Sequence, residues 1–210
     1  MWTAAILAGG QARRMGGREK ATLVVGGRSI LDRQLAVLHE IAEHIVLVTS
    51  DRTRFAECHV PVVVDRTPNI GPLGGLHTAI AAATTERILA VAGDMPFLTV
   101  PFLKQLRSAG ENADIVMLRT AEGYHPLCGT FAKSCTTRLE QLVARGMRRL
   151  SCLLDEPQRL RVRVLGPDEI APFDRDGRLL FNVNTSDDYA RAIEMATEPE
   201  NEPDHSDRTG

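Results

Sequence analysis

Apolar residues along the chain alternate between short unbroken runs and longer stretches with helical spacing. The runs at residues 3–7, 44–49, 60–64 and 87–92 are rich in Val, Ile, Leu and Ala and end in Gly, Asp or Ser. Runs of that length, apolar on both faces and bounded by turn residues, predict buried strands of a parallel sheet. Between them the period lengthens. Ile30, Leu31, Leu35, Leu38 and Ile41 share one face at helical spacing, so a helix is expected over 30–41, with Ser29 as its N-cap. Further helices are expected at 76–84, 100–109 and 135–145, and a last one capped by Ser186-Asp187-Asp188 and running to about 195. A brief strand at 21–25 turned by Gly26-Gly27 and a short polar helix at 52–57 complete the first half. A strand at 114–118, a glycine-flanked extended segment at 123–131 and an edge strand at 161–165 complete the second. The order predicts an α/β fold: one three-layer sandwich around a mostly parallel, twisted, Rossmann-like sheet. It covers residues 1–196, followed by an acidic tail at 197–210 whose Glu, Pro, Asp, Ser and Gly suit disorder.

Composition narrows the function classes. With 210 residues, 43% of them hydrophobic, the chain can bury one ordinary core, and two full domains would be cramped. A net charge of −2 supplies no broad basic field for nucleic acid, so any bound polyanion should be small and held locally. No apolar run approaches a bilayer span and no signal-peptide pattern opens the chain. Cys58, Cys128, Cys135 and Cys152 are scattered without a C-x-x-C pair, which reads as buried thiols in a reducing compartment. A cytoplasmic protein without membrane or nucleic-acid partners is expected.

The candidate chemistry gathers where strands end. Leu7-Ala8-Gly9-Gly10 opens a loop that carries Arg13, Arg14, Gly16, Gly17, Arg18 and Lys20. Glycines let successive N–H groups face one anion, and the cations surround the same spot. The loop is neither a P-loop nor a G-x-G-x-x-G, and it also suits a solvated surface turn. Asp65 follows the third strand, at the sheet edge where ligands of open α/β folds bind. Gly71-Pro72-Leu73-Gly74-Gly75 leads into the helix at 76–84 and brings a helix N-terminus toward that edge, or merely packs a tight loop. Asp94, after Gly93 and before Met95-Pro96, is placed to hold a hard cation such as Mg²⁺, or to serve as a turn residue. His125 is a lone histidine in the extended segment. Arg148 and Arg149 either close over a second anion or face solvent. Asn182 and Asn184 alternate, so in an extended chain both amides point the same way. Together these parts suit a nucleoside triphosphate with Mg²⁺. No nucleophile elbow, Cys/His pair or zinc cluster is evident, and a phosphate nucleophile, already ionised at pH 7, needs no general base.

The loop from Leu7 through Arg14-Met15-Gly16 to Lys20 resembles the signature of nucleotidyltransferases with a Rossmann-like, glycosyltransferase-A-type fold. With Gly71-Pro72-Leu73-Gly74-Gly75, Asp94-Met95-Pro96-Phe97-Leu98, His125-Pro126 and Asn182-Val183-Asn184-Thr185, it resembles the molybdenum cofactor guanylyltransferase branch, over residues 4–192. The resemblance implies transfer of GMP from GTP to molybdenum-molybdopterin, giving molybdopterin guanine dinucleotide and pyrophosphate. It also implies that Leu7, Ala8, Gly9, Gly10 and Gly75 line the nucleotide, with Asp65 at the same site. Lys20 and Arg14 would meet phosphates and Asp94 would hold Mg²⁺; Arg14, Lys20 and Asp94 are then the catalytic set. His125, Arg149, Asn182 and Asn184 would lie toward the pterin. One departure is visible: Thr49-Ser50-Asp51 stands where an amide-bearing residue is expected, so Thr49 is the nucleotide contact by position alone. Nothing in the sequence reads as a domain for making or inserting the pterin, so transient contacts with molybdenum-insertion proteins and with recipient apo-molybdoenzymes or their chaperones are expected. The rivals are a cytidylyl or sugar-phosphate nucleotidyltransferase of the same fold, and a non-catalytic nucleotide-binding cofactor chaperone.

Overall fold

The computed structural model describes residues 1–9, 19–67, 70–154 and 160–197. Gly10 and Arg14 of the glycine loop, and the acidic tail from 198 onward, lie outside the described residues. The strands are β1 (Thr3–Leu7), β2 (Val24–Val25), β3 (Arg28–Ser29), β4 (His44–Thr49), β5 (Val62–Val64), β6 (Arg87–Ala92), β7 (Ile115–Thr120), β8 (Gly123–Ala132) and β9 (Val162–Leu165). The helices are α1 (Ile30–Leu38), α2 (Pro72–Ala82), α3 (Val100–Glu111), α4 (Thr136–Ala144), the short α5 (Pro167–Ile170) and α6 (Ser186–Thr197).

Seven strands form one sheet in the order β5-β4-β1-β6-β8-β7-β9. β5, β4, β1 and β6 run parallel, β8 is antiparallel to both β6 and β7, and β9 runs parallel to β7 at the far edge. The expected α/β sandwich is the architecture observed. All five residues of β1 are buried, because helices cover both faces of the sheet. On one face Ile6, Leu47, Val91 and Val116 pack with Leu31 and Leu38 of α1 and with Phe102, Leu103 and Leu106 of α3. On the other, Leu7, Val48, Ala90 and Met117 pack with Leu73, Leu76 and Ile80 of α2 and with Leu139 and Leu142 of α4. A third cluster joins Leu23, Val25 and Ile30 to Val183 and Ala192, tying the β2–β3 hairpin to α6. Cys128, Cys135 and Cys152 are buried and Cys58 is half-buried; all four are free thiols. No helix among the described residues is long and apolar enough to cross a membrane.

Element boundaries differ from expectation where capping decides them. α1 starts as expected, with Ser29 Oγ accepting from Asp32 N at 3.0 Å, but it stops at Leu38. α2 starts four residues before the expected Leu76: Pro72 takes the first helical position, where its missing N–H costs nothing, and Gly71 at φ +73° turns the chain into it. Gly74 and Gly75 therefore lie inside the first turn of α2 rather than ahead of it. A Cβ on Gly74 would stand 2.6 Å from Thr67 Oγ1 and 2.8 Å from the Thr67 carbonyl oxygen. α6 is capped one residue earlier than expected. Thr185 Oγ1 accepts from Asp188 N at 3.1 Å while Asp188 Oδ2 accepts from Thr185 N at 2.9 Å, a reciprocal box in which aspartate takes the usual place of glutamate.

Candidate active site

Because β1, β4, β5 and β6 are parallel, the residues after each of them reach one edge of the sheet: Ala8-Gly9, Ser50, Asp65 and Gly93-Asp94. β8 runs the other way, so Cys128 sits beside Val91 near that edge and residues 124–127 continue past it as a wall. The result is a cavity of about 880 Å³, within the range of small-molecule sites. Leu7, Ala8, Gly9, Lys20, Asp65, Gly75, Asp94, His125, Asn182 and Asn184 all line it, residues drawn from seven separate stretches of sequence.

Asp94 is the centre of its polar part. Asp94 Oδ2 accepts from Lys20 Nζ at 3.1 Å, and Lys20 Nζ also donates to Asn184 Oδ1 at 2.7 Å. Asp94 Oδ1 is buried and has no hydrogen-bond partner among the described residues. An unpartnered carboxylate oxygen on a residue that lines a nucleotide-sized cavity fits one protein ligand to a divalent cation whose remaining ligands are phosphate oxygens and water. No group of three or more His, Cys, Asp or Glu that could form an all-protein cage occurs among the described residues.

The approach to Asp94 is built tightly. Gly93 N donates to Leu7 O at 3.0 Å, and a Cβ on Gly93 would lie 3.2 Å from Ala8 Cα. The 182–185 segment is docked by Val183 N, which donates to Asp94 O at 2.9 Å. It is then held by Asp188, whose Oδ2 accepts from the backbone of both Asn184 and Thr185. Burial pushes the Asp188 pKa upward, but those N–H donors and the Lys20 charge outweigh it and hold the carboxyl below the usual range.

Other residues meet the cavity differently. Asp65 Oδ1 accepts from Thr67 N at 2.9 Å and from Thr78 Oγ1 at 3.1 Å, so this carboxylate both faces the cavity and closes the turn before α2. His125 Nε2 lies 2.8 Å from Thr120 Oγ1, and burial lowers its pKa from the ordinary value, with Glu122 opposing, so the ring is neutral at pH 7. Cys128 also lines the cavity, but burial pushes its thiol up to about 12, which leaves no thiolate to act as nucleophile.

Two expected residues are not brought to the wall. Thr49 is fully buried and folds back on Asp51, whose N donates to Thr49 Oγ1 at 3.2 Å; Val48 and Ser50, on either side of it, line the cavity instead. Strand alternation explains this, since successive side chains point to opposite faces. Arg149 is exposed ahead of the 3₁₀ turn Leu150–Leu153, while Arg148 lines the cavity. Glu19 was not anticipated either. It lines the cavity and accepts from Arg54 Nη1 at 3.2 Å. Burial raises the Glu19 pKa against the lowering effect of Arg54. Its only signal in the sequence is adjacency to Lys20.

A parallel-sheet edge with a glycine approach and a lysine–aspartate pair facing one cavity is a setting in which open α/β folds hold nucleotide phosphates. The family model described as MobA-like NTP transferase domain matches residues 4–160, and the chain belongs to that family. A probable molybdenum cofactor guanylyltransferase of Pelotomaculum thermopropionicum is 30% identical over 92% of this chain and 93% of its own length. The crystal structure of molybdopterin-guanine dinucleotide biosynthesis protein A from Archaeoglobus fulgidus superposes with a TM-score of 0.77 at 25% identity, covering 92% of this chain and 97% of that one. A Mycobacterium tuberculosis protein crystallised as a complex with manganese shares the fold at a TM-score of 0.65 and 21% identity, over 92% and 98% of the two chains.

Proposed function

We propose that this chain transfers GMP from GTP to molybdenum-molybdopterin, forming molybdopterin guanine dinucleotide and pyrophosphate. The reading is supported by membership of the family and by similarity to the guanylyltransferases over nine-tenths of the chain. Within the site, the observation that carries it is the buried, unpartnered Asp94 Oδ1 beside the Lys20–Asp94 pair. Asp94 would hold a divalent cation, Mg²⁺ in the cell, which when bound neutralises charge on the phosphates. The Lys20 ammonium reaches the same phosphates and stabilises charge as the bond to pyrophosphate breaks. Backbone around Leu7, Ala8 and Gly9, with Gly75, bounds the nucleotide side. Asn182, Asn184 and His125, which also line the cavity, would meet the pterin, whose phosphate would approach the α-phosphorus in line. That phosphate is ionised at neutral pH, so the neutral His125 and the protonated Cys128 have no proton to remove from it. Gly10 and Arg14 belong to the loop between Gly9 and Glu19 and would complete the phosphate contacts. The enzyme would work in the cytoplasm, exchanging substrate and product with molybdenum-insertion proteins and with apo-molybdoenzymes or their chaperones.

The test is pyrophosphate release with Mg²⁺ and molybdenum-loaded molybdopterin, run with GTP, CTP and ATP in parallel and with Asp94→Ala. Release with GTP alone, lost in the variant, is expected. Release with CTP instead would assign the cytidylyl reaction, and full turnover by Asp94→Ala would remove the metal assignment.

A further inference from the structure

Gln34 is a polar residue at a core position of α1, four residues from Ile30 and four from Leu38, both fully buried. It is itself 1% exposed. Its Nε2 donates to Ala92 O at 2.6 Å and to Met95 O at 3.1 Å, the carbonyls that flank Gly93-Asp94 on either side. Two carbonyl oxygens can be met only by the N–H₂ end of the amide, so the orientation is dictated by the partners. The other end, Oε1, is buried with no hydrogen-bond partner among the described residues. Packing α1 against the sheet calls for an apolar side chain here, as at Leu31 and Leu38. An amide that leaves one atom unsatisfied is explained by what its other atom holds.

The backbone around Asp94 is otherwise fixed by Gly93 N on Leu7 O and Val183 N on Asp94 O. Both of those bonds are main chain to main chain, whereas Gln34 reaches the turn with a side chain that substitution can remove. We propose that Gln34 is a positioning residue for the metal-holding carboxylate: by clamping both sides of the Asp94 turn it fixes where that carboxylate stands in the cavity wall and so sets the site's affinity for a divalent cation. The inference rests on the reading of Asp94 as a metal ligand.

The test uses Mn²⁺ as probe, titrated into the full-length protein with GTP and followed by electron paramagnetic resonance, for wild type, Gln34→Met, Leu38→Ala and Asp94→Asn. Gln34→Met keeps the volume and removes both donors; it is expected to weaken Mn²⁺ about tenfold, the scale on which groups that orient a metal ligand act. Leu38→Ala loosens the same helix without touching the turn and is expected to bind Mn²⁺ as wild type does, although it melts at a lower temperature. If Gln34→Met is recovered unfolded, Gln34→Asn carries the same test, since its shorter amide cannot span both carbonyls. Wild-type Mn²⁺ affinity in the Gln34 variant, with binding lost in Asp94→Asn, would overturn the positioning role and leave the metal site standing. Equal weakening in Leu38→Ala would reduce Gln34 to general packing and also overturn it. Unchanged binding in Asp94→Asn would remove the metal assignment and the inference with it.

Discussion

Lys20 meets two partners that lie far away in sequence, Asp94 and Asn184, and both side chains of the Lys20–Asp94 pair are less than one-fifth exposed. Both residues line the cavity, where the proposed reaction places the phosphates. Lys20→Met is expected to lower kcat/KM by roughly 100-fold or more, the cost of removing one preorganised donor to developing charge. Its unfolding free energy should fall by about 1–3 kcal/mol, because a largely buried carboxylate loses its hydrogen-bond partner. Steady-state kinetics and urea unfolding on the same preparation check both halves. At this scale the sequence was most informative where a residue stands within two positions of a strand's end, as Asp65 and Asp94 do, because strand direction delivers them to the edge. It was least informative where neighbours compete. Thr49 against Ser50, and Arg149 against Arg148, are decided by side-chain alternation and by the exit angle of a turn, which motif spacing does not encode. Gln34 left a trace that helical periodicity exposes, a polar side chain inside an apolar stripe, but its partners at Ala92 and Met95 come from the tertiary fold.

Among the elements, the first turn of α2 carries the sharpest constraint. Gly74 faces the backbone and hydroxyl of Thr67, whereas a Cβ on Gly75 would meet only Leu7 methyl groups at 3.8 Å. Gly74→Ala is therefore expected to lose about 1–3 kcal/mol of stability by overpacking a backbone that cannot retreat. Gly75→Ala should melt near wild type while narrowing the cavity beside Leu7, raising the KM for GTP. Thermal melts and a substrate titration separate the two outcomes.

The edge strand β9 depends on a different device. Asp114 Oδ2 accepts from Arg161 N at 2.8 Å and from Arg161 Nε at 3.2 Å, and Asp114 Oδ1 accepts from Ser134 Oγ at 3.0 Å. The Arg161 side chain leads in holding this carboxyl below its ordinary 3.8. A lowered native pKa means stability that is present above 3.8 and lost as the pH falls through the native value. Asp114→Asn should thus be less stable than wild type near neutrality, with the difference closing in the pH range below 3.8; urea unfolding at several pH values reads it. Element identity was legible because both periods, two and helical, are strong here. Element ends were less so, since α2 and α6 begin where Pro72 and Thr185 satisfy the first turn rather than where the apolar pattern starts.

For the molecule as a whole, the sheet order explains why one site gathers residues from nearly the full length of the chain. Four parallel strands end at a common edge, β8 extends beyond it, and the 182–185 segment returns to dock on Asp94 through Val183. Helices on both faces keep that edge rigid, while the cavity stays large enough for a nucleotide and part of a second substrate. Such an arrangement suits group transfer by positioning and charge neutralisation, with no covalent intermediate required of the protein. The sequence conveyed the fold class and the edge because both follow from strand patterning. Val48, Ser50 and Pro72 also line the cavity, and no single one of those residues announces it in the sequence. The most direct measurement follows phosphorus through the reaction, with molybdenum-loaded molybdopterin, Mg²⁺ and GTP labelled at either the α or the γ position. The account predicts α label in the dinucleotide and γ label in pyrophosphate; γ label on the pterin, or no label transferred from GTP at all, would contradict it.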